Sequence, residues 1–260
     1  MDPIDAHTYA KIEWPAVGTP PDVLYICGYR RTGKDTFAAD IQSGTSRYAR
    51  VLYAPVSARA DGSLLPLRRF MGAPRVAFAD ALRTAALAFL GLPPSYDCET
   101  TKDLPLPPEC TAAVAPLMAR LGRPATLRDV LIHIGERGRA VDPAHWVKKA
   151  LGPFYRPVGQ PPQRVIVSDW RFVGELEQAR AAGIAVTTVR LFRIAVPIPP
   201  QGIVTEHDLD ATPTDWLCIP LGDDPDVAFA TFPQYRGYAF SGVVHGDPVQ
   251  GPLSKEFGLF

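Results

Sequence analysis

The chain has 260 residues, of which 47% are hydrophobic and 21% charged, with 27 basic and 27 acidic residues. This length suffices for one α/β domain with insertions, and a zero net charge argues against a nucleic-acid polymer as partner. Four scattered cysteines without a C-x-x-C pair argue against structural zinc. No apolar run approaches the roughly 20 residues of a membrane span, so we expect no membrane partner and a cytoplasmic protein.

A hydrophobic strand, a glycine-rich loop and a helix follow one another near the start of the chain. We predict the strand at 22–27, the loop at Gly28–Lys34 with the spacing G-x-x-x-x-G-K, and the helix at 34–43. Gly28 and Gly33 permit backbone turns that a Cβ would block. The loop N–H groups and the helix N-terminus then bind phosphate oxygens. This context predicts a nucleoside triphosphate site.

Side chains of this loop supply the expected contacts to the triphosphate. Lys34 adds a full positive charge beside the phosphates. The next position usually carries a hydroxyl for Mg²⁺, but here it is Asp35, followed by Thr36. We expect either side chain to orient Mg²⁺ or its waters; a chance glycine-rich turn capped by Asp35 is the alternative. The other candidates for contacts to the donor are Arg30, Arg31 and Thr32.

Strands and helices alternate along most of the remaining chain. Val/Ile-rich strands separated by helices indicate a parallel sheet covered on both faces, which binds ligands outside the carboxyl ends of its strands. Proline-rich segments, such as 93–109, predict loops. The further predicted strands are 50–56, 75–78, 164–168, 186–192 and 216–219, and the further helices are 79–91, 126–134, 142–151, 172–182 and 225–231.

A second polar group follows the predicted strand at 164–168. Asp169 would hold Mg²⁺ directly or through water, as a second aspartate does in phosphate-loop enzymes, or it would cap a helix. The planar guanidinium of Arg171 can bind two phosphate oxygens at the mouth of a cleft. Glu175 would be an i, i+4 partner of Arg171 or a ligand.

Four segments together resemble the phage-type deoxynucleoside monophosphate kinases, a branch of the adenylate-kinase-like superfamily. Residues 28–36 resemble the family's loop G-x-x-x-[ST]-G-K-D-T, in which Asp follows the lysine, and 78–83 resemble F-A-D-P-L-K. Residues 126–147 resemble its T-x-R helix, the glycine and arginine after it, and its W-V helix. Residues 167–175 are similar to its D-x-R-F-x-x-E segment.

The chain departs from the family pattern at several positions. Ala81 replaces the usual proline and Arg83 the usual lysine, which keeps the charge. Thr205 and Glu206 match part of the family's H-x-[ST]-E, but Ile203 stands where the histidine would be. A role tied to that histidine is therefore in doubt.

The resemblance implies a three-layer P-loop NTPase fold, nucleoside monophosphate kinase-like, with a parallel sheet flanked by helices. ATP would transfer its γ-phosphoryl group to a deoxynucleoside monophosphate, with Mg²⁺ as cofactor. The partners would be small nucleotides in the cytoplasm (the host's, if the chain is viral), and a homodimer is left open. The implied parts are a kinase domain at 22–232, acceptor-binding insertions at about 44–74 and 93–140, a lid at about 193–206, an irregular arm at 1–21 and an irregular tail at 233–260.

The family pattern also suggests roles for individual residues. Lys34, Arg139 and Arg171 would act in catalysis, and a proline-rich lid would contact the donor through Arg190 or Arg193. Alternatively, Arg83 and Arg128 would lie on solvent-exposed helix faces without contacting a ligand, and Asp80 would cap a helix. The acceptor-binding candidates are Asp80, Arg83, Arg128, Arg139, Asp169 and Arg171, and the metal-binding candidates are Asp35, Thr36 and Asp169.

Two other functions fit the same motifs. A phosphomevalonate-kinase-like enzyme of the same superfamily also has a G-K-D loop and a D-x-R strand end. A nucleotide-binding regulator would keep Lys34 but tolerate loss of the acceptor arginines. The reaction itself requires no strong general base, because a monophosphate oxygen is already ionised near neutral pH.

Overall fold

The body of the protein is a seven-stranded sheet with helices on both faces. The computed structural model describes residues 11–44, 50–55, 67–200 and 207–244. The strands are β1 (Asp22–Cys27), β2 (Arg50–Pro55), β3 (Arg75–Val76), β4 (Arg164–Val167), β5 (Ala185–Leu191), β6 (Trp216–Pro220) and β7 (Tyr238–Val244). The helices are α1 (Lys34–Ser43), α2 (Phe78–Leu90), α3 (Cys98–Thr101), α4 (Thr111–Leu121), α5 (Leu127–Val141), α6 (His145–Leu151), α7 (Val173–Ala181) and α8 (Pro225–Thr231).

The strand order places β1 inside the parallel part of the sheet. The order is β3-β4-β1-β5-β6-β2-β7. β3, β4, β1, β5 and β6 run parallel, whereas β2 is antiparallel to both β6 and β7. The arrangement is a mixed α/β structure, compatible with a three-layer α/β fold. The expectation of a parallel sheet is thus confirmed for five strands and is wrong for β2 and β7.

The strand β1 is hydrophobic from Val23 to Cys27 because both faces of the sheet are covered there. Val23, Tyr25 and Cys27 belong to the core on one face of the sheet, together with residues of α6 and α7. Leu24 and Ile26 belong to the core on the other face, with residues of α1. Successive side chains of a strand point to opposite faces, so a strand covered on both sides has no polar position.

A second helical core lies beside the sheet and is built from α2, α4 and α5. In α5, Leu127, Val130 and Ile134 are buried, as the i, i+3, i+7 spacing predicts. Thr126 caps this helix: its hydroxyl accepts from the Asp129 N–H, and the Asp129 carboxylate accepts from the Thr126 N–H. The capping box fixes the start of α5.

Several sequence expectations need correction. Tyr238–Val244, expected to be irregular, forms β7 on the sheet edge. The strand predicted at 50–56 is present as β2 (Arg50–Pro55), but it lies inside the sheet although 44–74 was expected to be an acceptor-binding insertion. The segment 93–109, expected to be a loop, contains α3. Long-range strand pairing has no local sequence pattern, which explains the failure at β7. The remaining parts of the arm, the lid and the tail, including Ile203, Thr205 and Glu206, lie outside the described residues.

None of the helices in the described ranges is both long and apolar enough to cross a membrane.

We predict that the same substitution destabilises the protein at one helical glycine and not at another. A Cβ on Gly138 in α5 would lie 2.8 Å from Cζ2 of the buried Trp146, whose Nε1 donates to the Gly135 carbonyl. Gly138→Ala should therefore lower the free energy of unfolding by about 1–3 kcal/mol, a typical cost of overpacking. Chemical denaturation measures the change. Gly174→Ala in α7 is the control, because nothing lies within 4 Å of its Cβ position; equal losses at both sites would contradict the packing argument.

Candidate functional site

The candidate site lies where the carboxyl ends of three neighbouring strands meet. Gly28 follows β1, Ser168 follows β4 and Phe192 follows β5, and these strands are adjacent in the sheet. Cys27, the last residue of β1, pairs with Arg190 near the end of β5. Ligands of open α/β sheets bind at this edge, which makes the glycine-rich loop the centre of the site.

The loop adopts a tight conformation that depends on its glycines. Gly28, Arg31 and Gly33 have φ values of 141°, 70° and 86°. A Cβ on Gly28 would lie 2.5 Å from the carbonyl oxygen of Leu191, so only glycine fits there. Arg31 is the one non-glycine residue of the described chain with positive φ, and its side chain is exposed.

Hydrogen bonds hold the lysine over this loop. The Lys34 ammonium donates to the carbonyl oxygens of Gly28 at 2.6 Å and Tyr29 at 2.9 Å. Thr32 is buried, and its hydroxyl donates to the same Tyr29 carbonyl at 2.9 Å. Thr32 thus stabilises the turn, while Lys34 is positioned at the N-terminus of α1. That end of the helix carries a partial positive charge suited to an anion.

Oxygen donors adjoin the loop on the β4 side. Asp35 is exposed in the first turn of α1, and the Ser168 hydroxyl donates to its Oδ1 at 3.0 Å. Arg75 lies 3.4 Å from the same carboxylate oxygen, and Thr36 is also exposed. Within the described ranges, no cluster of three His, Cys, Asp or Glu side chains could hold a metal ion. A metal here would therefore depend on Asp35, Ser168 and oxygens from a ligand.

Asp169 has a different role from the metal ligand that the sequence suggested. Its carboxylate accepts from the backbone N–H groups of Phe78 at 2.7 Å and Ala79 at 2.8 Å, the first residues of α2. Burial raises the pKa of Asp169, and these two hydrogen bonds oppose the rise. Asp169 therefore caps a helix, which was the alternative to metal binding. The capped helix is α2 and not α7, the helix that follows Asp169 in the chain.

An ion pair between Arg128 and Asp103 lies at the N-terminus of α5. The Arg128 guanidinium forms two hydrogen bonds with the Asp103 carboxylate, Nε to Oδ1 at 2.5 Å and Nη2 to Oδ2 at 3.0 Å. The pKa of Asp103 is lowered, chiefly by the Arg128 hydrogen bond, and the charge of Arg30 contributes. The charge of Arg30 thus reaches Asp103, so the predicted donor and acceptor regions lie close together.

A cavity of about 610 Å³ opens beside α2. Asp80 and Arg83 line it together with Tyr96 and Asp97. Arg83 donates to Asp80 at 3.2 Å, and both side chains are partly exposed. The structure therefore brings two of the predicted acceptor residues together at one cavity. Asp97 and Tyr96 lie in the segment 93–140 that was expected to bind the acceptor, but neither was a named candidate, because the proline-rich sequence around them carries no functional pattern.

Arg139 and Arg171 lie near the segment that follows β4. The Arg139 guanidinium carbon is 4.8 Å from the centroid of the Phe172 ring. A Cβ on Gly135 would lie at ordinary contact distance, 3.5 Å, from Arg139 Nη1, so this guanidinium lies close to the backbone one turn earlier in α5. Arg171 is exposed. No described residue forms an ion pair with either arginine at salt-bridge distance.

Glu175 is buried beneath these arginines and does not pair with the Arg171 side chain. Its Oε2 accepts from the backbone N–H groups of Arg171 and Phe172, both at 3.1 Å. Burial raises the pKa of Glu175 to about 8. The acid is therefore largely protonated at neutral pH, and it does not neutralise the charge of Arg139 or Arg171.

The arginine at the end of β5 is structural. Arg190 is buried, donates to Tyr235 Oη at 3.1 Å and to Asp210 at 3.4 Å, and lies over the Phe232 ring. It is therefore unsuited to the lid role considered for it. Arg193 is exposed and remains the lid candidate.

Asp210 connects the loop to the segment before 201. Its Oδ2 accepts from the Tyr29 hydroxyl at 2.9 Å and lies 2.6 Å from His207 Nδ1. His207 Nε2 contacts the Pro199 carbonyl oxygen at 2.9 Å. The pKa of His207 is raised, first by the Asp210 hydrogen bond. Neither residue belongs to a recognised motif, so this link could not be predicted from the sequence.

Comparison with known proteins leaves the family open. No protein-family model matches the chain, and no curated protein is significantly similar to it. The resemblance described above rests on the motifs, and the function is argued from the site itself.

We predict that Glu175 makes stability depend on pH. Its pKa is about 8 in the folded protein, against an ordinary value of 4.5 for a glutamate. The folded state therefore binds the proton more tightly, and its stability should fall as the pH rises from about 4.5 to about 8. Thermal unfolding midpoints measured between pH 5 and pH 9 test this.

Glu175→Gln is the informative variant. Its amide oxygen can still accept from both backbone N–H groups, but it cannot ionise. We expect a flatter pH profile and little loss of stability at pH 6. A variant profile as steep as that of the native chain would contradict the assignment, and Glu177→Gln, at an exposed position of α7, is the control.

Proposed function

We propose that the protein is an ATP-dependent deoxynucleoside monophosphate kinase, which converts a monophosphate and ATP into a diphosphate and ADP. The observation that carries the proposal is the loop Gly28–Lys34. It follows a central parallel strand, contains three residues with positive φ, and holds Lys34 at the N-terminus of α1. This geometry supports binding of a phosphate chain.

The donor phosphates would bind along the loop. Backbone N–H groups of the loop and the first turn of α1 would contact the phosphate oxygens. Lys34 would exchange its carbonyl contacts for the β- and γ-phosphates, where its charge offsets the negative charge of the transferred group. The Tyr29–Asp210 hydrogen bond, at 2.9 Å, would hold the loop backbone in place during this exchange.

The oxygen donors beside the loop fit Mg²⁺. This ion is usually held by one or two carboxylates together with substrate phosphates and several waters. Asp35 provides an exposed carboxylate, and Ser168 provides a hydroxyl 3.0 Å from it. Bound Mg²⁺ would supply positive charge to the donor phosphates. Each oxygen of Asp169 already accepts one hydrogen bond from the α2 backbone, so Asp35 and Ser168 are the preferred protein ligands in this proposal.

The transfer itself is a substitution at the γ-phosphorus. An oxygen of the acceptor monophosphate forms a bond to that phosphorus as the bond to the β–γ bridging oxygen breaks, and ADP leaves with the electron pair. Donor and acceptor are both anions, so their repulsion must be offset before they can approach. Arg128, Arg139 and Arg171 would contribute this charge, and no proton acceptor would be required.

The acceptor would bind between α2 and α5. Its sugar and base fit the cavity beside α2, where Asp80 and Arg83 offer polar contacts. Its phosphate would contact Arg139 and Arg171, whose charges the protonated Glu175 does not offset. Arg128 would exchange Asp103 for a phosphate oxygen. The lid would contact the donor through Arg193.

A coupled assay for ADP release tests the proposal. The acceptor panel contains each deoxynucleoside monophosphate, each ribonucleoside monophosphate and phosphomevalonate. We expect turnover with at least one deoxynucleoside monophosphate. Turnover with phosphomevalonate alone would establish the other kinase, and ATP binding without turnover of any acceptor would favour a regulator.

We predict that Lys34→Ala lowers the turnover number by two or more orders of magnitude. A preorganised charge that acts on the transition state typically contributes about 10²–10³ in rate. Lys149→Ala is the control, because that lysine lies over the Trp146 ring in α6 and outside the loop. Steady-state kinetics measures both variants, and a loss of less than about tenfold for Lys34→Ala would contradict the mechanism.

We predict that Arg139→Ala raises the KM of the acceptor by about tenfold or more, a typical consequence of losing a charge-assisted hydrogen bond. ATP affinity should change little, because Arg139 lies over Phe172 rather than in the loop. The control is Arg137→Ala, at an exposed position of the same helix. Equal effects of the two variants on the acceptor KM would argue against an acceptor site here.

A further inference from the structure

The guanidinium of Arg50 lies beside the phosphate loop, although no motif includes this residue. Arg50 begins β2 and pairs with Pro220 at the carboxyl end of β6. Because β2 is antiparallel to β6, its first residue lies at the sheet edge that carries the loop. Arg50 Nη2 would lie only 3.4 Å from a Cβ placed on Gly33.

The same guanidinium lies against the first turns of α1. Its carbon is 5.3 Å from the centroid of the Phe37 ring. Gly33 is the N-cap of α1, so Arg50 lies beside the end of the helix that carries a partial positive charge. Lys34 brings a second cation to this end. Arg50, Lys34 and the helix end itself therefore all bring positive potential to the N-terminus of α1.

Arg50 is also a buried cation that has no counter-ion among the residues that the structure describes. The residue is only 5% exposed, and its Nε has no hydrogen-bond partner. Across the described ranges of the chain, Arg50 forms no ion pair; its ring contact with Phe37 recovers only part of the lost hydration. Burying a charge without a partner is costly, and the adjacent helix end adds repulsion. The unpaired charge therefore lowers the stability of the folded protein unless a bound anion pairs with it.

We propose that Arg50 is a phosphate-binding residue of the donor site, which contacts the phosphate chain of the bound nucleotide at the first turn of α1. An anion there would supply the missing counter-charge and hydrogen-bond acceptors, and it would relieve the repulsion among Arg50, Lys34 and the helix end. The inference rests on the proposed nucleotide binding by the loop. It adds a residue from an antiparallel strand that lies outside every recognised segment.

The proposal makes two predictions that an arginine with a purely structural role would not satisfy together. Arg50→Met removes the buried charge but keeps an apolar side chain over Phe37. The variant without ligand should unfold at a higher temperature than the native chain, because an uncompensated charge is removed. Its affinity for ADP and for inorganic tripolyphosphate should fall by about ten- to a hundredfold, the usual effect of losing charge-assisted hydrogen bonds.

Titration calorimetry with ADP and tripolyphosphate, combined with thermal unfolding of each variant, tests both effects. Arg50→Lys keeps the charge and should retain part of the affinity. The matched control is Arg69→Met: Arg69 also lies over a phenylalanine, Phe70, at 5.0 Å. It pairs with Asp22 at the opposite end of β1, so its loss should leave anion affinity unchanged.

The outcomes separate this inference from the proposed function. Native-like affinity of Arg50→Met for both ligands would overturn the inference, and so would equal losses of affinity in Arg50→Met and Arg69→Met. Failure of the native chain to bind either ligand would overturn the inference and the proposed function together. Binding that depends on Arg50 but is not followed by phosphoryl transfer would support the inference and overturn only the proposed reaction.

Discussion

The hydrogen bonds from the Phe78 and Ala79 N–H groups to Asp169 join the two halves of the site. Asp169 follows β4, next to the strand that carries the phosphate loop, and the two N–H groups begin α2. Because α5 packs against α2 in the second core, its position also depends on this junction. A buried carboxylate that accepts two backbone hydrogen bonds permits little displacement. One side chain therefore sets the spacing between the proposed donor and acceptor regions.

The electrostatics of the site follow from how its acidic groups are used. Asp169 is occupied by the backbone of α2, and burial raises the pKa of Glu175 to about 8. Glu175 therefore does not offset the charge of Arg139 or Arg171 at neutral pH, although its Oε2 accepts from the Arg171 backbone N–H. Asp169 and Glu175 thus serve as acceptors of backbone hydrogen bonds, and the positive potential of Arg139 and Arg171 is retained for an anion. Lys34, at the end of α1, extends this potential to the loop.

Much of the fold was predictable from local sequence, because the elements concerned have local causes. β1, α1 and α8 have the expected bounds, since a hydrophobic run, a glycine-rich loop and an Asp-Pro start are visible in the sequence. β7 was missed because its stability comes from pairing with β2, a strand nearly 200 residues earlier. Such pairing depends on tertiary contacts rather than on a period in the sequence.

The site was predictable to a lesser extent, for a related reason. The loop residues were identified because their spacing reflects the backbone geometry that phosphate binding requires. The structural role of Asp169 and the burial of Arg190 depend on atoms from distant segments, so residue type alone could not distinguish them from ligands. Arg50 was overlooked because it belongs to no motif, although its Nη2 lies 3.4 Å from the Cβ position of Gly33 in the loop.

The ion pair between Arg128 and Asp103 must open before Arg128 can contact the phosphate of the proposed acceptor. Both side chains are about half exposed, so solvent screens their attraction and the pair opens at small cost. If the acceptor is a monophosphate, as proposed, it would carry more charge than a carboxylate and present more acceptor oxygens, and it would displace Asp103 from Arg128. The charge of Arg30 also contributes to the lowered pKa of Asp103, so Arg30 would attract the released carboxylate. Acceptor binding would thereby strengthen a contact between the Asp103 segment and the phosphate loop, and it would bring the two substrates together without a large movement of the sheet.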